Sequence, residues 1–282
     1  MQNNKILIVD GSNLLFQMFF GMPSRIIGRN GKPIQGTLGF IGALLKTIRS
    51  VVPTHVIVIF DGEHPNVRVN IDSEYKANRI DYSETLEEET PFSQLNDICA
   101  ALDYLNIKYF ETTDCETDDL IASYTTVYEN ENEIIIMSFD SDFFQLINER
   151  VSILRYRGEK SYICDLEYFT LKFGIQPEQY VDFKSLVGDP SDNISGVYGI
   201  GPKTARNLLN EYGSIDGIVS NINNIKKDTL KKKLIEKKER LKVNQELIKM
   251  DVNREIPIII SELKYKETNQ TTIEVLFAIG LK

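Results

Sequence analysis

Three short runs share one form and limit what this chain can fold into. KILIVD at 5–10, HVIVIFD at 55–61 and EIIIMSFD at 133–140 are rich in β-branched residues, and each ends in an aspartate. Unbroken apolar runs of this length suit strands covered on both faces of a sheet. Stretches with helical periodicity lie between them, at 37–51, 91–105 and 116–128. Strands alternating with helices predict βαβ units, hence an α/β fold with a mostly parallel central sheet flanked by helices. Ligands of such sheets bind outside the carboxyl ends of the strands. Asp10, Asp61 and Asp140 are thereby delivered to one edge.

The pattern breaks twice. Residues 63–90 form a polar stretch too long for an ordinary βα connection, and loops of that length are usually functional or mobile. From about 166 the chain turns helical, with segments predicted at 166–173, 177–187, 203–212, 215–222 and 228–249. We therefore expect a sheet-based domain over 1–170 and a helical region over 171–282. Residues 226–242, KKDTLKKKLIEKKERLK, are strongly basic and read either as a solvated helix face or as a contact to a DNA backbone.

Bulk properties narrow the function classes. The 282 residues, 42% hydrophobic, are ample for a core. No apolar stretch approaches the ~18 residues of a membrane span. The opening residues show none of the three regions of a signal peptide. Cys99, Cys115 and Cys164 are odd in number and lack CxxC spacing, which speaks against disulfides or zinc and for the cytoplasm. With His55 and His64 the only histidines, histidine-based zinc sites and Ser-His-Asp triads are poorly supplied. A net charge of −9 and a pI near 5.0 count against nucleic acid only if the acids are dispersed.

They are not dispersed along the chain. Beside Asp10, Asp61 and Asp140 stand Asp142 in FDSDF, Glu116, Asp118 and Asp119 in CETDDLIA, and Asp189 and Asp192 in GDPSDN. Singly, each acid could start a turn or complement a helix dipole. Together at one edge, nine carboxylates repel unless cations neutralise them. Oxygen-only ligation selects hard ions such as Mg²⁺ or Mn²⁺, and a two-ion clamp suits in-line phosphodiester cleavage. Residues 116 and 119 share a face of a regular helix; 116 and 118 converge only if Glu116 precedes the helix proper.

The segment GVYGIGPKTARNLL at 196–209 has glycines at 196, 199 and 201 and a proline at 202 suited to the first helical position. Glycines there allow close backbone approach, and the following N–H groups can bind a phosphate oxygen. With a helix before it, the segment reads as a helix–hairpin–helix grip on a nucleic-acid backbone; a plain tight turn is the bland alternative.

Six ordered motifs carry a resemblance. IVDGSN, FDGEHPNVR, EYKANR at 74–79, ETDD at 116–119, FDSDFFQL at 139–146 and GDPSDNISGVYGIGPKTA at 188–205 resemble those of bacterial and phage 5′-nucleases. That family includes 5′–3′ exonucleases, flap endonucleases and the amino-terminal nuclease domain of DNA polymerase I. The resemblance covers about 1–250 and implies a PIN-like nuclease core, with a helix-three-turn-helix at 177–212. It implies one metal site from Asp10, Asp61, Glu116, Asp118 and Asp140, and a second completed by Asp142, Asp189 and Asp192. Asp119 is the ninth candidate ligand, at a position where some relatives are not acidic. Lys76 and Arg79 fall in the arch or gateway (about 63–90) that embraces the 5′ end, Tyr75 beside the active site within reach of a base, and Arg68 at a phosphate contact. Relatives hold K⁺ in the hairpin mainly through backbone carbonyls, which points to Leu186, Val187, Ser195, Val197 and Ile200. Gly199, Ile200, Gly201, Pro202, Lys203 and Thr204 would then face duplex DNA. Two departures stand out: Gln17 replaces a common arginine, and the arch stretch DYSETLEEET is acidic.

The expected protein is a monomeric, structure-selective 5′-nuclease of replication and repair, using two Mg²⁺ (Mn²⁺ able to substitute) and K⁺. Its substrates would be DNA with 5′ flaps, nicks or 5′ ends, and RNA primer strands. The rival readings are a haloacid dehalogenase-like phosphatase, suggested by FDSD, a DNA-binding protein with a vestigial site, and an RNase of the PIN type. Met1 at the start, the absence of polymerase motifs and LFAIGLK at the end favour a free-standing protein.

Overall fold

The computed structural model describes residues 4–22, 24–29, 31–62, 64, 67–79, 82, 85–86 and 89–282. The acidic part of the expected arch therefore lies partly outside the described residues, at 81, 83, 84, 87 and 88. A six-stranded sheet runs through the molecule, built from β1 (Asn4–Asp10), β2 (His55–Phe60), β3 (Lys108–Glu111), β4 (Asn132–Met137), β5 (Val151–Arg155) and β6 (Tyr162–Cys164). The order is β3-β2-β1-β4-β5-β6, parallel throughout except for antiparallel β6. The chain winds outward from β1 to one side through β2 and β3, then returns to lay β4 against the other side of β1. Strand order reverses there, and the crevice at such a reversal is where open α/β sheets place their ligands.

Alternation along the three predicted strands explains why they read as unbroken apolar runs. Ile6, Ile8, Ile57, Ile59, Ile134 and Ile136 face one layer. Leu7, Val9, Val56, Val58, Ile135 and Met137 face the other, built on α1 (Gly11–Gly21), α2 (Gln35–Val51), α3 (Leu95–Tyr104) and Val275. Truncating one of these side chains to Ala costs about 2–5 kcal/mol. The first layer begins with α4 (Thr117–Tyr128) and continues without interruption into the helical half, so Phe169, Tyr180, Leu186, Leu209, Leu234 and Leu241 share a core with the sheet isoleucines.

That half comprises α5 (Leu166–Phe173), α6 (Tyr180–Val187), α7 (Pro202–Tyr212), α8 (Ile215–Ser220), α9 (Asp228–Glu236) and α10 (Lys238–Ile248). A single helix was predicted for 228–249; it breaks at Lys237, whose ψ of 6° leaves the helical range. Between α6 and α7, β7 (Gly188–Asp189) and β8 (Ile194–Ser195) pair antiparallel as a small hairpin. The C-terminal segment straps back over the sheet: Tyr265 N–H donates to Thr54 O at 2.9 Å and the Tyr124 hydroxyl to Ile258 O at 2.9 Å. It ends in α11 (Thr272–Ala278), which packs on α2 and α3. No helix among the described residues is long and apolar enough to cross a membrane.

Candidate active site

The reversal point is where the acids gather. Asp10 ends β1 and caps α1, accepting from the Asn13 N–H at 3.1 Å. Its other oxygen accepts from the Ser138 hydroxyl at 2.7 Å, and Ser138 in turn accepts from the Asp140 N–H at 2.9 Å. Ser138 thus ties the end of β1 to the loop after β4. The same loop is held from outside by Arg155, which donates to the Phe139 and Asp140 carbonyls and stacks over the rings of Phe139 and Phe144. Asp140 Oδ1 accepts from the Asp142 N–H at 2.8 Å, opening the turn that carries Asp142 inward. Gln17 donates to Tyr156 O at 2.7 Å.

Glu116 precedes the helix proper, with extended backbone at φ −66° and ψ 146°, which leaves Asp118 free to turn toward the sheet edge. Asp118 is raised well above the ordinary carboxylate range by burial, and then by Asp140 and Asp10, so these three acids share one field. Burial lifts Asp10 to about 7, against the hydrogen bonds from Ser138 and Asn13, with Asp140 and Asp61 adding to the rise. Asp61, just past β2, accepts from the Thr117 N–H at 3.2 Å and faces His64 Nε2 at 3.1 Å.

A second group lies alongside. Asp142, Asp189 and Asp192, all buried, offer oxygens within 4.8 Å of one another. Burial and Asp140 raise Asp142 to about 7, against Lys184. Burial would raise Asp189 too, but Lys184 and Ser191 outweigh it and hold the carboxyl below its ordinary value. Three all-oxygen carboxylate donors this close fit a hard divalent ion.

The residues of EYKANR form the wall of this site. Lys76 sits at φ +56° in the left-handed region, its N–H donating to Asp192 O at 3.0 Å and its ammonium 2.7 Å from Glu116 Oε2. Burial would lower Lys76, but Glu116, Asp118 and Asp192 raise it, so it stays charged. Arg79 pairs with Asp192 at 3.1 Å. Tyr75, expected within reach of a base, is instead buried, with its hydroxyl 3.3 Å from Glu116 and its ring under the Lys76 ammonium. A cavity of about 390 Å³ opens here between Asp61, His64, Lys76, Arg79 and Glu116.

Two expected roles look different in place. Arg68 is engaged by Asp119 through two parallel bonds of 3.0 and 2.7 Å, by Glu116 at 3.1 Å and by the Lys249 carbonyl. Asp119 also accepts from the Asp251 N–H at 2.9 Å, so both its oxygens serve protein donors. The pair makes an internal strut where a ligand and a phosphate contact were expected. At the hairpin, Gly199, Gly201, Pro202 and Lys203 are exposed at the start of α7. The Leu186 carbonyl accepts from Val197 N–H and the Val197 carbonyl from Ile200 N–H, each at 2.9 Å, while the Ser195 carbonyl accepts from Asn244 Nδ2. From the basic stretch, Lys233 reaches this hairpin and lies 4.8 Å from the ring centre of Tyr198.

Sequence reasoning missed Ser138, Arg155, Asn244 and Lys184. Lys184 left a signal: it falls one turn after Tyr180, on the core side of an apolar helix, where an unpartnered lysine is rare.

The chain has counterparts. The profile of the 5′-3′ exonuclease N-terminal resolvase-like domain matches residues 5–174, and that of the 5′-3′ exonuclease C-terminal SAM fold matches 175–271. Thermostable DNA polymerase I of Thermus thermophilus is 33% identical over 267 residues, 94% of this chain and 31% of that protein. DNA polymerase I of Bacillus subtilis is 31% identical over 282 residues, 98% of this chain and 31% of that protein. The chain thus spans about a third of the length of these curated relatives. Among solved structures, T5 5′-exonuclease with bound divalent metal ions (zinc) superposes at a TM-score of 0.68 and 25% identity, covering 88% of this chain and 90% of that one. A pseudo-enzyme-product complex of bacteriophage T5 flap endonuclease with DNA and metal ions gives 0.67 at 25% identity, covering 88% and 89%.

Proposed function

Because the chain belongs to the 5′-3′ exonuclease family, we propose that it is a structure-selective 5′-nuclease that hydrolyses DNA phosphodiesters with two Mg²⁺ ions, Mn²⁺ being able to substitute. The observation that carries this reading is the trio Asp142, Asp189 and Asp192, closed to within 4.8 Å beside the Asp10–Asp118–Asp140 group at the sheet edge. Asp10, Asp61, Glu116, Asp118 and Asp140 would hold one ion, and the trio the other. When bound, such ions supply an activated water and stabilise the leaving 3′-oxygen.

The remaining work falls to the chain. Lys76 and Arg79 border the cavity as fixed positive charge and favour the negative charge that builds on a transferring phosphoryl group. Arg68 acts through the acids it braces, keeping Glu116 turned into the site. Asp119 anchors Arg68 and is a support rather than a ligand. The start of α7, with exposed Gly199, Gly201, Pro202 and Lys203, half-buried Thr204 and buried Ile200 beneath them, would bind the duplex backbone without reading bases, so selectivity rests on flaps, nicks and 5′ ends. K⁺ would be held at the hairpin by the backbone carbonyls of Leu186, Val187, Ser195, Val197 and Ile200. We assign the nuclease core to 1–170 and the DNA-binding region to 171–282.

A 5′-flap or nicked duplex with Mg²⁺ tests the reading. Flap removal is expected, leaving a 5′-phosphate, to stop with chelator and to fall by roughly two or more orders of magnitude in Asp142→Ala. Full activity in that variant would sink the assignment, and junction binding without cleavage in any divalent ion would favour a binding protein.

A further inference from the structure

Lys184 stands where a second metal ion would compete with it. Its side chain is 7% exposed, and its ammonium contacts Asp142 Oδ1 and Asp189 Oδ2. These are two of the three carboxylates that close to within 4.8 Å, and Arg79 meets the third, Asp192, at 3.1 Å. The other oxygen of Asp189 is taken by the hydroxyl and N–H of Ser191, so the oxygen left for an incoming ion is the one the ammonium holds. Three carboxylates this close stay together only with protons or cations among them. The chain brings its own, on α6, with no other carboxylate paired to it among the described residues.

We propose that Lys184 is a built-in competing cation: a divalent ion takes its place on the trio by exchange, with the ammonium giving up Asp142, Asp189 or both. This rests on the reading of the trio as an ion site. The tethered ammonium neutralises the acids while no ion is present. It also weakens the site for every divalent ion, because one positive charge must be pushed back before a doubly charged one settles. Occupancy then responds to ion concentration and to any further negative charge brought to the site, such as a substrate phosphate.

The test is Mn²⁺ binding to the full chain without DNA, followed by the electron paramagnetic resonance of free Mn²⁺ and paired with melting curves in chelator. Lys184→Met should bind one of its two ions roughly tenfold or more tighter than the parent. Its melting temperature in chelator should fall, and Mn²⁺ should restore more of it than in the parent. Lys184→Arg keeps the charge and should stay close to the parent affinity. Should Lys184→Met fail to fold without metal, Lys184→Gln is titrated instead. Unchanged or weaker Mn²⁺ binding in the neutral variants overturns the exchange. Asp192→Asn separates the underlying reading: loss of one bound Mn²⁺ supports it, while unchanged stoichiometry overturns the ion site itself.

Discussion

Asp10 and Asp142 keep their protons up to about 7 in the fold, whereas an unfolded aspartate releases its proton near 3.8. A carboxyl raised in this way stabilises the fold most below its unfolded value and loses that contribution as pH climbs through its folded one. Without metal, the protein should therefore be less stable at about pH 8 than at about pH 6, by about 1 kcal/mol for each such group. Mg²⁺ should remove the difference, because a bound cation favours the ionised form. Calorimetry in chelator and in Mg²⁺ checks this, and a melting temperature that rises across that interval in chelator would refute it. These acids were legible in the sequence because they end strands and open a helix, positions that pattern alone reveals. Their partners were not: Arg68 meets Asp119 across 51 residues, and Lys184 meets Asp142 across 42. No local periodicity encodes such a pairing, so the contact between Arg68 and Asp119 could not be foreseen.

The hairpin between α6 and α7 is the element with least tolerance. Gly196 packs so closely on the preceding chain that a Cβ there would lie 2.3 Å from the Val187 carbonyl carbon and 2.4 Å from Gly188 N. Gly196→Ala should cost about 3 kcal/mol and weaken duplex binding together with cleavage, since β7 carries Asp189 and β8 borders the exposed turn. Thermal melting and nicked-duplex binding by the same variant check it; intact stability would mean that the hairpin backbone shifts at little cost. Long periodic elements were easy to foresee, including α2 and the strands β1, β2 and β4, whereas β5 was not, because its apolar run is short and broken by Ser152. The short helix α1 was not, because Gly11, Ser12 and Asn13 look like a turn, and only the Asp10 cap makes them a helix start. β3 and β6 escaped for another reason. They are four and three residues long at the sheet margins, half exposed, and carry no apolar run.

At the scale of the whole molecule, the site wall is held from the far side. Arg240 of α10 pairs with Asp72, and Tyr75 packs with Ile194, Leu247 and Ile248, so the segment bearing Lys76 rests on the last helix of the basic stretch. Arg240→Ala should lower flap cleavage by roughly tenfold with little change in duplex affinity, because it loosens the wall and leaves the α7 turn alone. Parallel cleavage and binding assays decide it; equal losses in both would place Arg240 in duplex binding instead. The α/β class was readable from three strands, but not that both halves share one core, since that depends on which helical faces meet. The central place of β1 has a consequence in time. Its neighbour β4 arrives 128 residues later, with Asn4 beside Asn132, and the trio closes only once residue 192 has been made. Pairings of such separation form late, and chains emerge from the ribosome at only about 5–20 residues each second. For those seconds the growing polypeptide carries its acids far apart, and the pocket they line does not yet exist.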